Sequence, residues 1–142
     1  MTVSIDAIVI KGSGVASKNI KFQMPHLIWH YQAIEHIHTA SINVLLDQPV
    51  NRLQFDYTTL PTAWWDVDSS RPGRWHEETF SFVEIKFEYP LNSRPKVAWF
   101  YIGHDSAYFK DSRRFEIVTE KIAGLVPGVR CRVHIDDRKL AS

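Results

Sequence analysis

The chain has 142 residues, 44% of them hydrophobic and 13% aromatic, and its formal net charge is +1 at pH 7. This length predicts one domain covering residues 1–142, large enough to bury a hydrophobic core. A charge so close to zero does not favour binding to nucleic acid, because proteins that bind phosphate backbones usually carry a clear basic excess. The mean hydropathy is −0.23, and no apolar run reaches the roughly 18 residues of a membrane span, so we expect no membrane partner.

Cys131 is the single cysteine, so the chain cannot form an internal disulfide. That usage is typical of the reducing cytosol, and the first residues lack the basic start and uninterrupted apolar stretch of a signal peptide. We therefore expect a cytoplasmic protein. Cys131 alternates in phase with Val133 and Ile135, which predicts a buried structural thiol rather than a nucleophile.

Alternating polar and apolar residues predict a series of short strands. In chain order, these strands cover residues 3–10, 20–24, 41–47, 52–57, 78–89, 97–102, 115–118 and 129–135. A short helix is predicted at 26–36, directly after Pro25, since proline is tolerated in the first turn of a helix. Residues 119–125 predict one or two helical turns. Residues 58–78, rich in turn formers and holding three tryptophans, indicate a long ordered loop.

Two of the predicted strands carry more apolar residues than one buried face requires. In the longest, Val83 and Phe87 fall on one face, whereas Phe80 and Phe82 are out of phase with them. A β-bulge near Phe82 is predicted, because it would bring both rings into the core. The segment 97–102 is apolar at both parities, which is typical of a central strand covered on both faces.

The strand pattern as a whole predicts a mainly β fold. Short strands with one or two short helices, and no long amphipathic helix, favour a closed or nearly closed barrel over a βαβ arrangement. No internal repeat or linker rich in Gly, Ser and Pro marks a second domain. We therefore expect a single β-barrel of about six strands.

A glycine-rich turn follows the first predicted strand. Gly12, Ser13 and Gly14 can bring backbone N–H groups close to a phosphate, because nothing projects from a glycine Cα. Ser17 and Lys18 add a hydroxyl and a cation of the kind that phosphates attract. The segment is neither a Walker A loop nor a dinucleotide fingerprint. The alternative interpretation is an ordinary glycine turn between strands.

A hydroxyl and an amide lie two residues apart at the start of the third predicted strand. Ser41 and Asn43 therefore share the face opposite Ile42 and Val44. Magnesium prefers a few oxygen ligands from the protein and completes its shell with water and substrate phosphates. The pair predicts a Mg²⁺ site, and its alternative is two polar residues on the solvent face of a half-buried strand.

Other polar residues supply candidate catalytic bases. Asp66 and Asp68 form an Asp-x-Asp in the tryptophan-rich segment, and His104 and Asp105 follow the doubly apolar strand. For Asp66 and Asp68 the alternative is a solvated turn. A zinc site is also conceivable from histidine spacing, but structural or surface histidines fit the absence of a matching cysteine pair better. The histidines concerned are His26, His30, His36 and His38.

The order of these segments resembles the CTP-dependent riboflavin kinase family. Gly12 and Gly14 match the first two glycines of that family's nucleotide-cradling loop, whereas Val15 and Ala16 replace its Glu and its third glycine. Asn43 matches its magnesium-binding Asn.

The resemblance extends to two further places. Ser41 stands where the family has its magnesium-binding Thr, and Ala40 replaces the glycine before it. Residues 115–133 resemble its closing pair of strands and the turn between them. The middle of the chain, 52–112, has no counterpart in the family pattern.

The resemblance implies a cradle-loop (RIFT-like) barrel that binds a CTP-like nucleotide with Mg²⁺ and transfers a phosphoryl group to a flat small-molecule acceptor. The aromatic segment 57–75 would stack on that acceptor. Two alternatives stay open. One is a non-catalytic ligand-binding or interaction barrel that has lost the kinase chemistry, which Val15 and Ala16 favour. The other is a nuclease or other nucleic-acid-processing protein that uses the basic segment 130–139 together with exposed tryptophans elsewhere in the chain.

Overall fold

The computed structural model describes residues 1–11, 42–50, 52–58, 62–66, 74–103 and 112–140, with the backbone alone for 62–66 and 74–78. Strands dominate these residues, and the 3₁₀ helix Asp137–Lys139 is the only helix among them. The strands are β1 (Thr2–Val9), β2 (Ile42–Leu46), β3 (Tyr57–Thr58), β4 (Thr62–Asp66), β5 (Arg74–Glu78), β6 (Phe80–Glu88), β7 (Lys96–Gly103), β8 (Arg114–Val118) and β9 (Arg130–Asp136).

Six of these strands close into an antiparallel barrel. The order around the barrel is β6-β7-β8-β2-β1-β9, and β9 pairs again with β6. β3 pairs with the first part of β6, ahead of the residues of β6 that pair with β9. β4 and β5 form a separate two-stranded sheet. The predicted mainly β fold with a single barrel of six strands is therefore confirmed.

The barrel is filled by residues that alternate along each strand. Val44, Leu46, Phe100 and Ile117 are fully buried, and the ring of Phe100 stacks on Phe115 with centroids 4.5 Å apart. Each buried apolar side chain contributes about 1.5–3 kcal/mol through the hydrophobic effect. The alternation that predicted the strands is thus the pattern that places one face of each strand in the core.

Cys131 lies in this core among Val133 and Ile135, all three fully buried. Burial disfavours the thiolate and raises the pKa of Cys131 to about 11. The prediction of a buried structural thiol is confirmed.

No bulge interrupts β6, so that prediction is wrong. The pairing of β6 with β7 runs without a break from Phe80 opposite Gly103 to Phe87 opposite Lys96. Phe80 and Phe82 instead face away from the barrel interior and contact Tyr101, with ring centroids 5.2 and 5.6 Å apart. The outer face of β6 is also buried here, so both rings are shielded from water without a bulge.

Burial on both faces of β7 is confirmed. Its residues from Ala98 to Gly103 are all buried. Phe100 and Ile102 belong to the barrel core, while Trp99 and Tyr101 are 7% and 6% exposed on the opposite face. The barrel wall is therefore covered on its outside at β6 and β7 as well as filled on its inside.

Three predicted elements differ from the structure. Residues 119–125 form no helical turn, so that prediction is wrong. Gly124 has a left-handed φ of +85°, and its carbonyl accepts a hydrogen bond from the Tyr89 hydroxyl. The predicted loop at 58–78 contains β4 and β5, because cross-strand pairing overrides local turn propensity. The predicted strand 52–57 is reduced to a bridge from Leu53 to Leu140 and the short β3.

The predicted strand 20–24 and helix 26–36 lie outside the described residues. In the ranges that the structure does describe, no helix has the length and apolar character to cross a membrane.

Candidate functional site

The pairing of β1 with β2 brings the end of one strand to the beginning of the other. Val9 lies opposite Val44, and the backbone N–H of Ile10 donates to the carbonyl oxygen of Asn43 at 2.9 Å. The described range stops at the next residue, Lys11. The described chain therefore ends beside the strand that carries Asn43, one residue before the glycine-rich segment begins in the sequence.

The side chain of Asn43 lies on the outside of the barrel wall, because its neighbours Val44 and Leu46 fill the inside. Its Oδ1 is buried and accepts no hydrogen bond from any residue in the described ranges. An unsatisfied buried polar group of this kind costs about 1–3 kcal/mol. A cation or a hydrogen-bond donor at this oxygen would remove that cost, so Oδ1 is a suitable ligand for Mg²⁺.

Four more residues continue from Asn43 across the outside of the barrel. Glu116 on β8 lies directly opposite Asn43, and Tyr101 on β7 lies directly opposite Glu116. Phe82 on β6 and Tyr57 on β3 follow in the same register. Directly opposed residues of antiparallel strands share a face and lie about 4.5–5.5 Å apart. We call these five residues the outer row.

The outer row changes in character along its length. Asn43 and Glu116 present an amide oxygen and a carboxylate, which are hard ligands of the kind that Mg²⁺ binds. Tyr101 and Phe82 are 6% and 0% exposed and supply aromatic rings. Burial raises the pKa of Tyr57, so its phenol stays neutral at physiological pH. The oxygen atoms of Asn43 and Glu116 thus lie next to a buried aromatic cluster.

Glu116 is the residue of this site that the sequence reasoning missed. The alternation of Phe115, Glu116 and Ile117 places the carboxylate outside the barrel, and that much is visible in the sequence. The sequence does not reveal that β8 is the neighbour of β2, since the two strands are far apart along the chain. Only the sheet order brings Glu116 opposite Asn43.

Most of the predicted site residues lie outside the described side chains. Asp66 is the last residue of β4, where its backbone pairs with Arg74. Asn43 is the one predicted site residue whose side chain the structure describes. The predicted residues outside the described ranges are Gly12, Ser13, Gly14, Ser17, Lys18, Ser41, Asp68, His104 and Asp105.

Within the described ranges, no group of three or more His, Cys, Asp and Glu side chains is arranged to hold a metal. The outer row contains one carboxylate and one amide, which matches the small protein contribution to a magnesium site that also binds phosphates and water. Comparisons with known proteins found no protein-family model and no curated protein that matches this chain.

Proposed function

We propose that the protein is a riboflavin-kinase-like phosphotransferase, or a nucleotide-binding protein of that type, that uses Mg²⁺. The observation that carries the proposal is the contact between Ile10 N–H and the Asn43 carbonyl. It supports a site in which the glycine-rich segment and the predicted magnesium ligands work together. The Oδ1 of Asn43 is buried and accepts no hydrogen bond within the described part of the chain, which supports a cation at the same place.

Each part of the proposed site has a role. The segment from Gly12 to Lys18 would hold the phosphates of a CTP-like donor through backbone N–H groups and the lysine. Ser41 and Asn43 would hold Mg²⁺, with Glu116 across the strand pair adding negative charge next to it. When bound, Mg²⁺ would neutralise charge on the transferred phosphoryl group. The chain itself would contribute positioning rather than covalent chemistry.

We propose that a flat small-molecule acceptor stacks on the aromatic segment 57–75, which begins at Tyr57 in the outer row. Tyr101 and Phe82 follow Glu116 in register, but they are 6% and 0% exposed, so they connect Tyr57 to the oxygen ligands without offering a stacking face themselves. Aromatic rings stack on such molecules with favourable offset geometry. The base that removes the acceptor proton stays a prediction among Asp66, Asp68, His104 and Asp105.

A thermal-shift panel tests the proposal directly. The protein is heated with CTP, ATP or GTP at millimolar concentration, with and without Mg²⁺, and with riboflavin. A nucleotide at 100 times its Kd stabilises the folded state by about 2.7 kcal/mol. We expect CTP to raise Tm and the shift to shrink when EDTA removes Mg²⁺.

The variants Asn43→Ala and Leu45→Ala form a matched pair, because both residues lie on the outer face of β2. We expect Asn43→Ala to abolish the Mg²⁺-dependent part of the shift and Leu45→Ala to keep it. A protein that responds to no nucleotide contradicts the proposal. A Mg²⁺ dependence that survives in Asn43→Ala contradicts the magnesium assignment alone.

The second candidate is a barrel that binds a ligand without catalysis. Ala16 favours it, because a Cβ in place of the family's third glycine restricts the closest approach of a phosphate. Transfer of the γ-phosphate of labelled CTP to riboflavin separates the two candidates. Nucleotide binding without transfer supports the non-catalytic barrel.

A further inference from the structure

Glu88, near the end of β6, is a buried carboxylate held by three hydrogen bonds. Its side chain is 6% exposed. Oε1 contacts Nε2 of His134 at 2.9 Å, while Oε2 accepts from the Asn92 backbone at 2.7 Å and from Arg132 Nη1 at 3.0 Å. Arg132 is held in turn by Asp6, with Nε 2.7 Å from Oδ1. The position of the carboxylate is therefore fixed from several sides.

This carboxylate determines which nitrogen of His134 carries the proton. The hydrogen bond from the Asn92 backbone, followed by that from His134, lowers the pKa of Glu88, so the group is ionised at neutral pH. An ionised carboxylate only accepts hydrogen bonds, so Nε2 of His134 must be its donor. In the neutral imidazole, Nδ1 is then the unprotonated nitrogen.

The unprotonated nitrogen faces a serine. Ser4 Oγ lies 2.7 Å from His134 Nδ1, and the two residues are directly opposite each other in the pairing of β1 with β9. The hydroxyl must donate to Nδ1, because that nitrogen has only a lone pair to offer. An activated nucleophile has this arrangement: a hydroxyl that is hydrogen-bonded to a base, here His134, whose ring is oriented by a third group, here Glu88. Ser4 is exposed, so an incoming molecule can reach it.

A small cavity lies beside the base. Its volume is about 260 Å³, and His134, Thr2, Lys86 and Asp136 are among the residues that line it. This volume is below the range of about 300–1,000 Å³ usual for ligand pockets, so it fits only a small group. Lys86 lies directly opposite His134 on β6 and adds an exposed ammonium group to the wall.

We propose that Ser4, His134 and Glu88 form a second site, which transfers the acyl group of a small carboxylic ester to Ser4 and then to water. In this site Ser4 is the nucleophile, His134 the general base and Glu88 the positioning residue. Lys86 would favour the negative oxygen that develops on the ester carbonyl.

The reaction needs no further reactant besides the ester and water. The Ser4 oxygen bonds to the carbonyl carbon while its proton passes to His134 Nδ1. The bond to the alkoxy oxygen then breaks, and that oxygen takes the proton and leaves as an alcohol. Water adds to the acyl carbon in the same way, its proton returns to Ser4 through Nδ1, and the carboxylic acid leaves.

The site is separate from the oxygen-bearing end of the outer row, although Phe82 of that row lies on β6 with Glu88. In the ring of strands β6-β7-β8-β2-β1-β9, three steps in either direction lead from β8, which carries Glu116, to β9, which carries His134. The two strands therefore lie on opposite sides of the barrel. Failure of one proposal leaves the other intact.

A fluorophosphonate probe, which bonds covalently to activated serines, tests this inference on the full chain. Ser93 is the internal control, because it is a partly exposed serine whose hydroxyl donates to the Pro90 carbonyl and to no histidine in the described ranges. Peptide mapping by mass spectrometry should find the probe on Ser4 and not on Ser93. We expect His134→Gln to slow labelling of Ser4 by about 100-fold or more, the usual contribution of a general base.

Turnover of p-nitrophenyl acetate gives a second measurement. Ser4→Ala should abolish it, and Ser93→Ala should leave it unchanged. Equal labelling of Ser4 and Ser93 in the unmodified protein overturns the inference without recourse to any variant. A folded His134→Gln protein that labels Ser4 at the original rate overturns it as well.

Discussion

At the scale of single residues, the chemistry of each side chain follows from the face of the strand that it occupies. Asn43 and Val44 are neighbours in sequence, but one carries an amide oxygen outside the barrel wall and the other fills the core. Glu116 and Ile117 repeat this division on the next strand. Because side chains alternate along a strand, a few polar positions form a site without any loss of the apolar core.

Cys131 shows the same rule applied to a reactive group. It is fully buried, and its pKa of about 11 keeps it protonated at neutral pH. Only the thiolate reacts with disulfide reagents. We therefore expect Ellman's reagent at pH 8 to modify the native protein very slowly and the urea-unfolded protein at once, with one thiol per chain. Rapid modification of the native protein would contradict the burial of this residue.

Sequence reasoning at this scale succeeds where the signal is local. The apolar phase of Cys131 with Val133 predicts its burial, which the structure confirms, whereas the magnesium role of Asn43 stays a prediction. Glu116 is missed because its position opposite Asn43 depends on β2 being the neighbour of β8, which the local sequence does not show. The chain of Ser4, His134 and Glu88 is missed for the same reason, since its members come from β1, β9 and β6.

At the scale of elements, the closure of the barrel depends on a short pairing. β6 pairs with β9 over Lys86, Phe87 and Glu88, whereas its earlier residues pair with β3. Between these two pairings, side chains contact the β6 backbone at Glu84. Asp56 accepts a hydrogen bond from the Glu84 backbone N–H, and Lys139 donates one to the Glu84 carbonyl. The hydrogen bonds from Arg132 and His134 to Glu88 hold the β6–β9 contact together.

This arrangement predicts how stability changes with pH. The folded structure lowers the pKa of Glu88 from a usual value of 4.5. A group with a lowered pKa contributes stability above its unfolded value and loses that contribution as pH falls through the folded one. We expect the difference in unfolding free energy between the natural protein and Glu88→Gln, measured with urea, to be large at pH 7 and smaller at pH 3.

Other carboxylates also titrate in this range, so the comparison with Glu88→Gln is essential. Asp6 pairs with the same arginine and has a lowered pKa as well. Asp6 is half exposed, and its ion pair is therefore expected to contribute little. An unchanged difference between pH 7 and pH 3 would show that Glu88 does not carry the effect.

Elements are predicted well from alternation and poorly from composition. β1, β2 and β9 are found within a residue or two, because each has one buried face. The predicted bulge in β6 is wrong, because Phe80 and Phe82 are buried on the outer face of the barrel and not in its core. β4 and β5 are overlooked in a segment rich in turn formers, since strand pairing there overrides local propensity.

At the scale of the whole molecule, the barrel joins distant parts of the chain. β1 pairs with β9 from Thr2 opposite Asp136 to Ile8 opposite Arg130, and β9 also closes the barrel against β6. A sequence predicts the number of strands and hence a barrel. The order of strands requires contacts across more than a hundred residues, which no local pattern encodes.

The pairing of β9 with both β1 and β6 predicts how truncation affects folding. A chain that ends after Val129 lacks β9, so β1 and β6 lose a common partner and their edges are exposed. We expect it to show no cooperative unfolding transition by near-UV circular dichroism. A chain that ends after Leu140 keeps β9 and the bridge to Leu53, and it should unfold cooperatively. A cooperative transition in the shorter chain would contradict the role of β9.

The partnership of β1 with β9 also has a consequence for synthesis on the ribosome. β1 is synthesised more than a hundred residues before β9, so the edge of β1 that pairs with β9 stays open until β9 is made. Until then it presents unpaired backbone groups to the crowded cell, which is the situation that favours aggregation and recruits chaperones. Slow codons ahead of residue 130 would lengthen this exposure, and faster translation there would shorten it.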